Sequence, residues 1–188
     1  MTCRWNGGAV VWLLVAVLVA SDVREAAAQD APAPQHQIEA VFLFHFAQFV
    51  SWPPQAFPDA GAPLVIGVLG EDPFGTYLDE VVRGETVGGR PLAVRRYRRA
   101  EDVDACHILF VGRDEARHLA RLLPQLGRRP VLTVGETDDF ARRGGMVQFV
   151  EERGKIRLRI NVEAARTTGL SISSKLLRLA DVVTTGRG

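Results

Sequence analysis

The sequence predicts an α/β fold: a three-layer sandwich on a mostly parallel mixed sheet, with an antiparallel edge hairpin. Three features point to it. Short, continuously apolar runs bounded by turn residues, such as Pro63–Gly70 (PLVIGVLG) and His107–Val111 (HILFV), have the pattern of strands buried on both faces. Helical periodicity fills most of the intervals between them, which implies βαβ units and a parallel sheet. Two strand-like segments lie close on either side of Glu151–Gly154, a spacing that makes a hairpin.

In chain order, the first 28 residues read as a cleaved signal peptide. Arg4 gives a positive start, Ala9–Ala20 is an unbroken apolar run, and Ala26-Ala27-Ala28 is a small-residue cleavage site. The run is shorter than the ~20 residues that span a bilayer, so an exported, soluble chain starting at Gln29 is expected. Residues 29–35 form a flexible Pro/Ala-rich leader. Residues 36–185 form a single domain, large enough to bury a sizeable core.

Within that domain, Ile38, Phe42, His45 and Phe49 follow helical spacing, with Val41 and Phe46 widening the stripe. This predicts an amphipathic helix with His45 as a hydrogen-bonded core histidine. Trp52-Pro53-Pro54 stops it. The Pro63–Gly70 strand is followed by a helix over Pro73–Arg83, a glycine-bearing loop and a strand over Pro91–Tyr97. After the His107–Val111 strand come a helix over Asp114–Leu123, closed by Pro124 and Gly127, and a strand over Val131–Val134. A short helix over Thr137–Arg142 and strands over Val147–Val150 and Lys155–Ile160 complete the sheet. Asn161 suits the N-cap of a short helix over Val162–Thr168 that Gly169 stops. Ile172, Leu176, Leu179 and Val183 then predict a final amphipathic helix capped by Ser171 or Ser173.

The composition excludes more than it assigns. A formal charge of +1 gives no global case for nucleic-acid or membrane binding. Gly70–Thr76 sits where a phosphate loop would, but Thr76 stands at the lysine position and Pro73 lacks an N–H, so a helix-capping turn is the better reading. Cys106 and His107 are neighbours in a strand and therefore point to opposite faces. The four histidines lack metal-ligand spacing. No catalytic residues, metal site or cofactor is expected. With Cys3 removed in the signal segment, Cys106 is expected to be an unpaired buried thiol.

Two charged groups remain as candidate surfaces. Arg95, Arg96, Arg98 and Arg99 around Tyr97 are what an anionic ligand would want, although Glu101, Asp102 and Asp104 follow at once. Arg157 and Arg159, alternating with Ile156, Leu158 and Ile160, give the hairpin a basic outer face. With Glu151 and Glu152 they form the candidate partner-binding surface, though arginines also guard a sheet edge against aggregation.

The chain also resembles a known family. The residues that carry this are Ala40–Ala47 (AVFLFHFA) leading into Phe49-Val-Ser-Trp-Pro53, Val68–Gly75 (VLGEDPFG), Cys106–Phe110 (CHILF) and Val131–Gly135 (VLTVG). Phe140, Gly144-Gly-Met146, Phe149, Ile160-Asn161 before Ala164-Ala165, Gly169-Leu170 and Ile172–Leu177 (ISSKLL) continue it. In order and spacing this set resembles the YfiR-like family of exported, mostly periplasmic proteins of Gram-negative bacteria.

The resemblance implies an α/β binding protein rather than an enzyme. It implies a repressor that holds the periplasmic domain of an inner-membrane diguanylate cyclase inactive, and so lowers cyclic di-GMP and biofilm or exopolysaccharide output. It further implies release by an outer-membrane peptidoglycan-binding lipoprotein, and a homodimer. Related domains joined to sensor kinases suggest an alternative, a periplasmic small-molecule sensor acting on a kinase. The founding member's disulfide would join a first-strand cysteine to the position of Cys106. Here the first-strand position matches Gly67, and a second bridge near Gly144 also lacks its cysteines.

Overall fold

A computed structural model describes residues 32–186, which lie in one compact unit. The expected signal peptide and residues 29–31 of the leader fall outside the described residues; Pro34 and Gln35, expected in the flexible leader, instead open the first helix, where Pro34 suits the first helical position. Among the described residues, no helix is long and apolar enough to cross a membrane.

The sheet is organised around the apolar strand β2 (Leu64–Leu69), every residue of which is buried. On one side it pairs in parallel with β4 (Arg90–Tyr97), and on the other with β5 (Ile108–Val111). Beyond β5 come β6 (Leu132–Gly135) and β7 (Val147–Glu152), also parallel. The antiparallel strand β8 (Lys155–Ile160) and a short parallel strand β10 (Ala180–Val182) finish that side. At the other end β3 (Thr86–Val87) pairs antiparallel with β4. The eight-stranded order is therefore β10-β8-β7-β6-β5-β2-β4-β3. A separate two-stranded pair joins β1 (Val50–Ser51) to β9 (Ser171–Ile172).

Alternation along the strands sends side chains into two cores. Leu64, Ile66, Val68, Ile108, Phe110, Leu132 and Val134 pack under α1 (Pro34–Phe49) and α2 (Thr76–Val82), with α5 (Val162–Thr167) and α6 (Ser174–Leu177). Leu69, Leu109, Val111 and Phe140 face α3 (Arg113–Ala116) and α4 (Leu119–Leu126). These are the expected three layers around a mixed sheet.

Four local expectations need correction. First, α1 buries Glu39, Ala40, Leu43, Phe46 and Ala47 rather than the stripe through Ile38 and His45. The helix is apolar nearly all round, so spacing alone offers two faces. Ala40 and Ala47 let the buried one approach the sheet closely. Ile38 stays 46% exposed, and His45 is a half-buried residue whose Nδ1 lies 3.4 Å from Gln48 Oε1, outside the core. Second, Thr137–Arg142 is a run of turns, with Asp139 at positive φ. Third, the single helix expected over Asp114–Leu123 is two pieces, and Pro124 lies inside α4 instead of closing it. Fourth, the final helix is one turn long. Leu179 is 70% exposed, and the β-branched tail enters the sheet as β10, outside the inner half of the β7–β8 hairpin.

The capping predictions for α5 and α6 hold. Asn161 is fully buried and its Oδ1 accepts from the Ala164 N–H at 3.0 Å. Its Nδ2 donates to Ala141 O and Thr185 Oγ1, both at 2.9 Å, tying α5 to the turn before β7 and to the C-terminal tail. Ser173 caps α6 through the Lys175 N–H, and Gly169 stops α5 at φ +80°.

Candidate functional site

Five consecutive parallel strands stand in the spatial order β4-β2-β5-β6-β7. The chain reverses its direction of growth between β2 and β5, and ligand crevices in such sheets lie at the carboxyl ends of strands at this point. The protein fills the crevice itself. Asp114 Oδ1 accepts from the Glu71 N–H at 3.0 Å, and a β-carbon at Gly112 would meet Glu71 O at 2.7 Å. Asp72 Oδ1 accepts from the N–H groups of Phe74 and Gly75. Gly70–Thr76 is thus a turn in which the N–H groups of Gly70, Glu71, Phe74 and Gly75 are already engaged, although no side chain caps the helix that follows, contrary to the capping role expected of it.

Beside it, at the same sheet end, lies a buried acid–histidine cluster. His36 and Glu39 share one face of the first turns of α1, and Glu136 follows β6 directly. One ligand-type atom from each of the three lies within 4.8 Å of the others. His36 Nε2 is 3.4 Å from Glu136 Oε2 and 3.2 Å from Gln35 Nε2. Arg113 grips Glu136 with two bonds, at 2.9 and 3.0 Å. Glu39 is 1% exposed, and its Oε2 has no hydrogen-bond partner. Burial first, then the charge of Glu136, push its carboxyl up to about 8. Sequence reasoning missed this cluster, because its members are scattered over a hundred residues and no local spacing joins them.

At the opposite sheet end, the Trp52-Pro53 and Cys106-His107 motifs interlock. The Trp52 indole donates to His107 O at 3.2 Å. The Val65 N–H donates to His107 Nδ1 at 3.0 Å, so Nε2 carries the proton and donates to Ala56 O at 3.1 Å. Phe57 stacks on the imidazole at 4.4 Å, with Arg90 over the other partner in the stack, 3.8 Å from the Phe57 centroid. Burial lowers the His107 pKa from its ordinary value. Cys106 is a free, buried thiol donating to Ile108 O at 2.9 Å, and burial pushes it up to about 12. A thiol held protonated is a poor nucleophile, and the two side chains have separate partners.

The candidate surface residues separate. Arg95 pairs with Asp104 at 3.1 Å, whereas Arg96 projects from the other face of β4 to Asp72 at 2.7 Å and Asp79 at 2.6 Å. Arg99 pairs with Asp102, and Arg98 is exposed. The four arginines are therefore divided between faces, and three are matched with carboxylates. On the hairpin, register puts Glu152, Arg157 and Arg159 on one face, with Arg159 3.5 Å from Glu152. Glu151 lies on the other face with Ile156, toward α1, where its charge adds to the rise at Glu39. A shallow pocket by Arg157 and Glu152 is walled by Arg178 and the exposed Leu179.

Together these features define a doubly wound α/β domain with a buried ionisable cluster at the ligand end of its sheet. The chain belongs to the YfiR/HmsC-like family, whose model matches residues 36–181. No curated protein sequence matches it. Among solved structures, the ABC domain in complex with L-Trp from Streptococcus pneumonia aligns with a TM-score of 0.47 at 12% identity. That alignment covers 64% of this chain and 55% of the other, so this chain spans about half the length of the structure it matches. Likeness at that level carries no argument about ligand or function.

Proposed function

We propose that this protein is a periplasmic regulator that binds the extracytoplasmic domain of an inner-membrane diguanylate cyclase and holds it inactive. The observation that carries the reading is membership of the YfiR/HmsC-like family over residues 36–181. Its action is binding rather than catalysis, consistent with a Cys106–His107 pair whose members are separately engaged. To repress, it must bind the inactive arrangement of the cyclase more tightly than the active one, since equal affinity for both shifts nothing. The surface best suited to contact is the sheet edge where Arg157 and Glu152 stand beside Leu179, which is 70% exposed. A homodimer, and release by an outer-membrane peptidoglycan-binding lipoprotein, belong to the same reading.

The test is a pulldown of the mature chain from periplasmic extract, with the extracytoplasmic segment of a membrane diguanylate cyclase of the same host as bait. Specific retention of that segment supports the proposal. Retention at background, together with unchanged cyclic di-GMP after deletion of the gene, contradicts it.

A further inference from the structure

We propose that His36, Glu39 and Glu136 form a binding site for a divalent transition-metal cation, with Zn²⁺ as the best fit, in which Arg113 orients the Glu136 carboxylate. The inference stands apart from the repressor reading and does not depend on the partner.

The donor set selects the metal class. One imidazole nitrogen and two carboxylate oxygens suit Zn²⁺, which takes three protein ligands of these types when a fourth position is left to water or an exchangeable group. Ca²⁺ and Mg²⁺ prefer all-oxygen shells. The spacing agrees. Bonds of about 2.0–2.1 Å in a tetrahedron place ligand atoms about 3.3 Å apart, and His36 Nε2 stands 3.4 Å from Glu136 Oε2. All three ligand atoms lie within 4.8 Å of one another. Since Glu39 lies within 4.8 Å of both partners, a carboxyl movement of at most about 1.5 Å brings it to the tetrahedral spacing.

A second observation points to the same place. A carboxyl oxygen in a side chain that is 1% exposed normally has a partner, and Glu39 Oε2 has none. Its neighbours explain what it lacks. With Glu39 ionised, as a metal ligand must be, Glu39, Glu136 and Glu151 set three negative charges against one positive from Arg113, an excess that a divalent cation neutralises as it displaces the Glu39 proton to solvent. The N-terminal turn of α1 works against a cation, but it contributes only about half a charge. Arg113 does not block the site, because each carboxylate oxygen has two lone-pair positions and Oε2 can accept from Arg113 while ligating. An outer partner that fixes a ligating carboxylate is the usual arrangement around a bound metal. Gln35, whose amide lies 3.2 Å from His36 Nε2, must turn aside as the metal enters.

The experiment is a titration of the full exported chain, stripped with chelator, by ZnCl₂, MnCl₂, MgCl₂ or CaCl₂ in a calorimeter. A CoCl₂ absorption spectrum would report the coordination geometry. One equivalent of Zn²⁺ is expected, with visible d–d bands for Co²⁺. A melting temperature about 5–10 °C higher is expected at a hundredfold excess over Kd. H36Q, E39Q and E136Q should each weaken binding by at least about tenfold, while H118Q, on an exposed histidine outside the cluster, should leave it unchanged. His36 lies at the rim, so H36Q decides the matter even if a buried-site variant fails to fold. Absence of a saturable equivalent, or equal affinity in H36Q and wild type, would overturn the site and leave a protonated Glu39 as its occupant.

Discussion

Replacing Gly67 by cysteine should close a disulfide to Cys106. A β-carbon on Gly67 would sit 2.7 Å from Cys106 Sγ, against ~3 Å for the same pair of atoms across an unstrained bridge. Gly67 lies on β2, and Cys106 lies two residues before β5, the parallel strand that pairs with β2. The closed loop holds about 40 residues, for which chain entropy gives about 3.9 kcal/mol between the oxidised and reduced forms. The added atoms also crowd Tyr97 Cε2 at 2.8 Å and Leu109 Cδ1 at 3.1 Å, so the reduced variant should lose about 1–3 kcal/mol through overpacking. Gly67→Ala carries the same crowding without the bridge and serves as the control. Thiol titration under denaturing conditions should find no free thiol in the oxidised exported variant. Denaturant unfolding with and without reductant should give the stability difference. Two titratable thiols after oxidation, or equal stability in both redox states, would refute the placement of β2 against β5.

His107 makes stability sensitive to acid. Its folded pKa is lowered by burial from 6.5, so its contribution is fully present above that value and is lost as pH falls through the folded one. Urea midpoints at pH 7.5 and 5.0 should fall more for wild type than for His107→Gln, and equal falls would contradict the neutral, doubly bonded imidazole. Asn161→Ala removes one cap and two buried bonds and should cost about 2–4 kcal/mol in the same assay; a loss below about 1 kcal/mol would contradict that network. Arg157→Glu should leave the melting temperature within about 1 °C, as expected for an exposed residue. It should also weaken retention of the cyclase segment in the pulldown, and unchanged retention would move the contact surface elsewhere.

The parts of the fold that were legible in sequence are those in which local pattern and packing agree. The all-apolar strands β2 and β5 could be placed because burial on both faces leaves a continuous run. The Asn161 cap could be placed, and the cap of the last helix narrowed to Ser171 or Ser173, because their chemistry is local. The α1 face could not, because a helix apolar nearly all round has no unique buried stripe and the sheet makes the choice. Nor could β10: Leu176 and Leu179 keep helical spacing, but pairing with β8 outweighs it after one turn. The candidate partner residues Arg157, Arg159 and Glu152 do share a face, whereas hairpin register sends Glu151 to the other side. The His36–Glu39–Glu136 cluster depends on α1 crossing the end of β6, a contact between distant segments that periodicity does not encode.

Repression of a membrane cyclase is the claim on which the functional account rests, and cellular cyclic di-GMP measures it most directly. In the native host, deletion of this gene should raise cyclic di-GMP, and expression of the exported chain should restore it, provided the cyclase it retains in the pulldown is present. Unchanged cyclic di-GMP after deletion, or a rise that persists when the cyclase is also absent, would contradict the account.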